Sequence, residues 1–304
     1  MELEQRININ IEWVRIIAVV LITFTHTRHH FESGVYFFLF EQLPPIGTSL
    51  LSVVSGYLYI TYSSKKDNLL LSKVKSLLIP YLIANLFVVI LVLIANFGFG
   101  LDFLNRFEYN SILIFDGLLA LNSPPINPPT YFIRDIFIIF SILSIIQNRN
   151  FLPLLYLIPL AYFGQMFLRW DVVFMFSVGC GLSFYRDFFF SKRILFSVVL
   201  FLLAFVLNYC DVISFNAIKF FLAPSLFLVV DFFKLKPINT GAYSYLTHLY
   251  HSPIIVCTYP VIALFIFDER VSVFIQVIIA LFGTWLVYRL TRKIKTLRIL
   301  CGFK

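Results

Sequence analysis

Two ionisable side chains stand out in the first apolar segment, residues 13–30, which reads WVRIIAVVLITFTHTRHH. Ten residues, nearly all apolar, separate Arg15 from His26. On an α-helix, eleven steps of ~100° return to within ~20° of the starting direction and advance roughly 16 Å, about half a bilayer core. Ionisable groups in a bilayer core are costly and usually face a bundle interior or a wet cavity. The spacing predicts two positions along one polar passage.

The two residue types suit different chemistry. A guanidinium stays charged and binds phosphate through paired hydrogen bonds. An imidazole titrates near neutral pH and can take a proton from a hydroxyl. Arg15 and His26 therefore suit a phosphate-bearing donor at one end and a hydroxyl acceptor at the other. The structural alternative, that each side chain simply lies at its nearer membrane interface, stays open from the residues alone.

Metal binding is a weaker interpretation of the histidines. His26 and His30 stand four residues apart, as metal-binding pairs on helices do. No Asp or Glu lies beside them, and Glu32 already falls in the following loop. The four cysteines show no close spacing, so neither a zinc motif nor a disulfide framework is expected. We expect no metal site.

Two later segments carry further candidates. GAYSYLTHLYHSP places His248 and His251 three residues apart, with Ser244 on the same side of a helix. Histidines within a span favour a functional role, and hydrogen bonding between helices is the alternative. TYFIRD places Arg134 and Asp135 at a helix start, where they either line a cavity or lie at the interface.

Small and basic residues mark two more segments. GTSLLSVVSGY carries Ser55 and Gly56 inside an apolar segment, where small residues permit helices to approach closely. KVKSLLIPY begins with Lys73 and Lys75, which precede a helix. These lysines can contact either phosphates or lipid headgroups, and lipid contact is the commoner case.

The composition defines an all-α membrane protein. Of the 304 residues, 60% are hydrophobic and 13% are charged, and the mean hydropathy is +0.89. Apolar runs long enough to cross a bilayer recur along the chain. No small-residue cleavage site follows the first run, so we expect a retained helix and not a removed signal peptide. The net charge of +8 follows the loops and does not indicate nucleic acid.

We expect a single membrane domain, residues 1–304, with about ten transmembrane helices, near 11–27, 46–62, 77–97, 131–147, 151–168, 172–185, 194–209, 213–230, 242–266 and 271–289. With both termini in the cytoplasm, 17 of the 24 Lys and Arg residues lie in cytoplasmic segments and only four in the opposite loops. This bias follows the positive-inside rule.

Two segments outside the spans have distinct compositions. The outer loop, residues 98–130, contains a short apolar piece at 111–121 that cannot cross a bilayer, so an interfacial or re-entrant element is expected. The loop ends in NSPPINPPT, whose prolines favour a stiff, extended connection. The basic tail, residues 290–304, is expected to contact anionic lipid of the inner leaflet.

Taken together, these segments resemble the acyltransferase 3 family of membrane acyltransferases. Arg15 and His26 match the family's arginine, ten residues, histidine pattern. The other motifs follow in the family's order: VVSGYL, KVKSLLIPY, PTYFIRDIFII with Tyr131 where tryptophan is usual, FMFSVGCGLSF, and SYLTHLYHSPII with His251 as its histidine.

The resemblance implies a ten-helix bundle of the cell inner membrane that moves an acyl group, usually acetyl, from acyl-coenzyme A to a hydroxyl of a surface polysaccharide or lipid-linked glycan. It binds no resident cofactor, since acyl-coenzyme A is a substrate. His26 would be the general base and Arg15 would hold the donor. The other expected substrate contacts are Arg134, Ser55, Gly56, Ser244, His248 and His251, with Lys73 and Lys75 at the donor phosphates.

Two other functions fit the same residues. Charged groups within spans and a basic inner face also suit a transporter or flippase of a glycan or its lipid-linked precursor. A non-catalytic scaffold for glycan assembly is the third interpretation. The pairing of Arg15 with His26 argues against the scaffold, which has no need of charge inside the membrane.

Overall fold

The structure is a computed structural model. It describes residues 2–101, 111–121, 123–146, 159, 161–164, 166–210, 212–214, 217–230, 233 and 235–302, and only the backbone of 2–8 and 111–114. The fifth expected span, 151–168, falls mostly outside these residues.

The described chain is helical along most of its length and contains no strand. The α-helices are α1 (Glu2–Phe24), α2 (Gly34–Phe37), α3 (Ile46–Thr61), α4 (Leu69–Lys73), α5 (Ile79–Leu93), α6 (Ser111–Leu119), α7 (Tyr131–Ile146), α8 (Trp170–Phe184), α9 (Arg186–Ser191), α10 (Arg193–Tyr209), α11 (Lys219–Val230), α12 (Gly241–Phe265) and α13 (Glu269–Lys293). Short π-helical segments, Phe38–Gln42, Val74–Leu78 and Ile94–Gly98, extend or join neighbouring helices, and 3₁₀ turns occupy Ser63–Lys65, Pro128–Thr130 and Lys295–Cys301.

Helix length and composition confirm an all-helical membrane protein. Within the described residues, five stretches are long and apolar enough to cross a membrane: Gly34–Lys65, Leu69–Gly98, Pro128–Ile146, Gly241–Phe265 and Glu269–Lys293. The helices α8, α10 and α11 are apolar but shorter than the ~20 residues that a straight crossing needs. The expected number of ten spans and the cytoplasmic termini therefore stay predictions.

The loop at residues 98–130 contains a short helix where the sequence predicts a short apolar element. That helix, α6, ends at Leu119, and the next residue, Ala120, has a left-handed φ of 52°. The Asp116 carboxylate accepts a 2.7 Å hydrogen bond from Ser123 Oγ. The proline-rich connection then packs against two helices. Asn127 donates through Nδ2 to the Leu249 carbonyl on α12 at 2.8 Å, and its backbone N–H donates to Asn85 Oδ1 on α5 at 3.1 Å.

Helix α3 is the central element of the bundle, since it packs against α1, α8 and α11. Its crossing with α8 is close because glycines face each other's backbone. A Cβ added at Gly56 would overlap the Phe176 carbonyl, and one added at Gly179 would overlap the Val53 carbonyl. Small residues allow such backbone contact in membrane bundles, where burial of apolar side chains gives little net drive. The crossing therefore depends on the absence of side chains.

We expect Gly56→Ala or Gly179→Ala to destabilise the protein by about 1–3 kcal/mol or more, because overpacking must separate the helices. The apparent melting temperature in detergent measures the effect. Gly181→Ala is the matched control on α8, since a Cβ there meets nothing within 4 Å. Equal melting temperatures for all three variants would contradict the close crossing.

Candidate functional site

Two cavities lie beside α1 and α12. The Arg15 cavity has a volume of about 100 Å³, and its polar lining residues are Arg15, Ser55, Ser244, Tyr245 and His248. The His26 cavity has a volume of about 590 Å³, and its polar lining residues are Thr25, His26, Thr27, Arg28, Asn127 and Ser252. The structure therefore places Arg15 and His26 in different cavities, and the polar passage between them stays a prediction.

Helices α1 and α12 run in the same direction, which brings their polar residues together in pairs. Where the N-terminus of α12 meets the middle of α1, the Glu12 carboxylate accepts hydrogen bonds from Thr240 N at 2.9 Å and Thr240 Oγ1 at 3.0 Å. Further along, the rings of His26 and His251 lie 5.1 Å apart between centroids. The parallel packing thus joins the first apolar segment to the late histidine segment.

Arg15 is anchored by an acid that the sequence analysis missed. Its guanidinium forms an ion pair with Glu12, one helical turn earlier, and Glu12 in turn binds Thr240. An acidic residue three positions before an arginine on a helix was the available signal. Arg15 keeps about a quarter of its side-chain surface exposed, so it is oriented by Glu12 without being enclosed.

His26 lies just beyond the α-helix that the sequence predicted to contain it. Helix α1 ends at Phe24, and the next turn closes with i→i−3 bonds, such as His26 N to the Thr23 carbonyl at 3.3 Å. This turn places the ring in the His26 cavity beside Asn127 and Ser252. The sequence placed both residues on one helical face, whereas in the structure His26 follows the end of α1.

Three imidazoles form a cluster in the interior. His251 is fully buried and His248 is 2% exposed, and their ring centroids lie 6.3 Å apart. His248 lines the Arg15 cavity and His26 lines the other one. The cluster therefore extends from one cavity to the other along α12.

The neighbouring histidines point to other partners. His30 Nδ1 lies 2.7 Å from Glu269 Oε1, and His29 Nε2 lies 3.5 Å from Glu41 Oε1. His30 is thus engaged at the start of α13 and not with His26. Among the described residues, no group of three or more His, Cys, Asp or Glu side chains has a metal-binding arrangement.

Arg134 is held by protein groups. Its Nη1 donates to Asp135 Oδ1 at 2.9 Å and to the Met166 carbonyl at 3.1 Å, and its Nε donates to the Leu119 carbonyl at 3.2 Å. Asp135 is fully buried and also accepts from the backbone N–H of Arg169 at 3.0 Å. The contacts join the start of α7 to the segments around it. The expected role of Arg134 in substrate binding stays a prediction.

The remaining residues expected at the site lie in three places: the wall of a cavity, a contact between helices, and the protein surface. Ser55 and Ser244 line the Arg15 cavity, whereas the adjacent Gly56 faces α8 at the helix crossing. Lys73 Nζ lies 3.7 Å from the centroid of the Phe140 ring, and Lys75 is exposed. Contacts of these lysines with donor phosphates stay predictions.

A second charged cluster was not expected from the sequence. Arg169 binds Asp171 through two hydrogen bonds of 2.9 and 2.6 Å, and Lys219 forms an ion pair with the same carboxylate. The Arg169 guanidinium lies 5.4 Å from the centroid of the Tyr131 ring. Tyr131 is the residue that stands where tryptophan is usual in the family motif. An acid at the start of the apolar segment 170–184 was its only local signal.

The fold and cavities define a class: an all-helical membrane protein with an ionisable interior that is reached from two cavities. A family model described as an acyltransferase domain, Acyl_transf_3, matches residues 8–289. The chain belongs to this acyltransferase 3 family, which confirms the resemblance, and membership supports membrane acyltransferase activity. Comparison with curated proteins and with solved structures gives no match.

We expect Arg134→Gln to lower the apparent melting temperature strongly, even without substrate. Removing one partner of a buried ion pair costs about 3–5 kcal/mol, because the other charge is left uncompensated. Arg270→Gln is the control, since that arginine is exposed. The double variant Arg134→Gln/Asp135→Asn should recover part of the loss. Normal melting of Arg134→Gln with weakened substrate binding would instead favour the role predicted from the sequence.

Proposed function

We propose that the protein is an O-acyltransferase that moves an acyl group, most simply acetyl, from acyl-coenzyme A to a hydroxyl of a surface polysaccharide or lipid-linked glycan. The observation that carries this proposal is the placement of Arg15 and His26 in two separate cavities that a cluster of three histidines connects. Arg15 and His248 line one cavity, whereas His26 and Arg28 line the other. The acyltransferase family supplies the reaction class.

The Arg15 cavity suits the reactive end of the donor. Ligand pockets for drug-sized molecules measure roughly 300–1,000 Å³, so a cavity of about 100 Å³ admits a thioester end and leaves the nucleotide outside. Arg15 can then stabilise negative charge that develops on the thioester oxygen during attack. The distribution of basic residues supports a cytoplasmic location for this end of the bundle, where acyl-coenzyme A is present.

The His26 cavity suits a sugar. Its volume of about 590 Å³ lies within the range for ligand pockets. Its mixed lining supplies apolar surface from Val88, Leu91 and Val92 and hydrogen-bonding groups from His26 and Asn127. In this proposal the acceptor hydroxyl approaches His26. His26 takes the hydroxyl proton while the hydroxyl oxygen attacks the thioester carbonyl carbon directly.

A glycan transporter or flippase is the second candidate. Cavities at two levels of one bundle are also expected of a protein that moves a polar substrate across a membrane. The two functions differ in what they change. A transferase changes the acyl content of each glycan, whereas a transporter changes the amount of glycan exported.

We expect His26→Ala to insert and fold normally but to lose glycan acylation, because a general base contributes typically 10²–10⁴-fold to the rate. Mass spectrometry of isolated surface polysaccharide measures the acyl groups per repeat. The control is His30→Ala, which removes a histidine that is exposed and bound to Glu269.

Two results would contradict this assignment. Retained acylation in His26→Ala would exclude His26 as the base. Unchanged acylation with reduced total polysaccharide, in cells that lack the protein, would favour transport.

A further inference from the structure

His251 is buried beside His26, and only one of its two ring nitrogens has a hydrogen-bond partner among the described residues. Its Nδ1 lies 2.6 Å from the Thr247 carbonyl oxygen, one turn earlier on α12. Its Nε2 is buried and has no hydrogen-bond partner among the described residues. A buried polar atom without a partner costs about 1–3 kcal/mol, so a group that hydrogen-bonds this nitrogen would stabilise the protein.

The partner of Nδ1 determines the chemistry of Nε2. A carbonyl oxygen can only accept, so Nδ1 must carry the proton that it donates to Thr247. In neutral imidazole the other nitrogen then has a free lone pair. The Nε2 atom of His251 is therefore a hydrogen-bond acceptor inside the bundle.

The His26 ring is within reach of that acceptor. Imidazoles in direct N–H···N contact have centroids roughly 5 Å apart, since an N···N separation of about 2.9 Å adds to two ring radii. The centroids of His26 and His251 are 5.1 Å apart, with the rings tilted by 55°. The centroid separation is therefore that of a direct hydrogen bond between two imidazoles.

The surroundings of His26 leave this orienting role to His251. Within the described residues, no carboxylate hydrogen-bonds the His26 ring, whereas His29 and His30 each face a glutamate. His248 lies one further ring away, 6.3 Å from His251. A general base of this kind is commonly oriented by a third group that binds its second nitrogen.

We propose that His251 is a positioning residue whose Nε2 accepts the N–H of one His26 nitrogen and so leaves the other His26 nitrogen free toward the acceptor cavity. The chain of bonds runs from the Thr247 carbonyl through His251 and His26 to the acceptor hydroxyl. This inference rests on the proposed acyl transfer for its catalytic meaning.

The proton and electron balance of the step is complete. The acceptor O–H bond breaks, its proton moves to the free nitrogen of His26, and the oxygen forms a C–O bond to the thioester carbonyl carbon. The C–S bond breaks with its electron pair on the sulfur of coenzyme A, which takes the proton from His26. His251 holds the opposite N–H of His26 throughout and stabilises the imidazolium that forms transiently.

Two substitutions separate positioning from filling space. His251→Leu keeps a buried side chain of comparable bulk but removes the acceptor, and we expect kcat to fall about 100-fold with KM for the glycan within about threefold. His251→Gln restores an acceptor oxygen near the Nε2 position, and we expect kcat within about tenfold of wild type. His30→Gln is the matched control and should behave like wild type. Equal losses in the Leu and Gln variants, or a loss confined to KM, would overturn the proposal.

A second readout does not require activity. The chain has five histidines, so ¹⁵N-histidine labelling in detergent gives few signals, and the His26 signals are those lost in His26→Gln. In the wild type we expect neutral His26 to show one protonated and one unprotonated nitrogen. In His251→Leu the two shifts should converge as both tautomers become populated. Unchanged His26 shifts would overturn the proposal.

The kinetic and NMR measurements together distinguish failure of the proposed function from failure of the histidine pair. Absence of acyl transfer in the wild type, together with converging shifts in His251→Leu, would reject the proposed function and retain the histidine pair. Measured transfer with unchanged shifts would retain the function and reject the pair.

Discussion

Ionisable side chains inside an apolar bundle must be solvated by the protein itself, and this constraint organises the interior. Lipid supplies no hydrogen-bond partners, so a protein group beside a buried charge must stabilise it. Arg15 has Glu12 and the carboxylate of Glu12 has Thr240, while His251 has the Thr247 carbonyl. These partners lie on α1 and α12, which makes the parallel packing of those helices the condition for the whole site.

The close crossing of α3 and α8 holds one wall of the Arg15 cavity in place. Helix α3 presents Ser55 to the Arg15 cavity and the next residue, Gly56, to the α8 backbone. Successive residues on a helix point ~100° apart, so one Ser-Gly pair serves a cavity and a close crossing at once. A displacement of α3 from α8 would move Ser55 with it, and cavity geometry and helix packing are therefore coupled through adjacent residues.

Much of the architecture was readable from periodicity and composition, because lipid imposes strong local rules on a chain. The helix bounds near 46–62 and 131–147 agree with Ile46–Thr61 and Tyr131–Ile146. Arg15, Ser55, Ser244 and His248 were each candidates from the sequence, and the structure brings them to one cavity.

Interactions between distant segments were not readable, because local patterns do not encode which helices become neighbours. The approach of His26 to His251 needs the parallel packing of α1 and α12. The burial of Asp135 beneath the chain at Arg169 needs α7 and α8 to meet. For the same reason, Arg134 is identified as a cavity residue or as an ion-pair partner only once its neighbours are known.

The contact between Asn127 and the Leu249 carbonyl has a consequence for the evolution of the loop. In a regular helix the Leu249 carbonyl would accept the N–H of residue 253, but that residue is Pro253, which has none. The proline therefore creates a vacant acceptor in mid-helix, and the amide of Asn127 fills it. Pro253 thus determines where a loop residue more than a hundred positions earlier binds α12. We therefore expect residues 127 and 253 to change together among relatives.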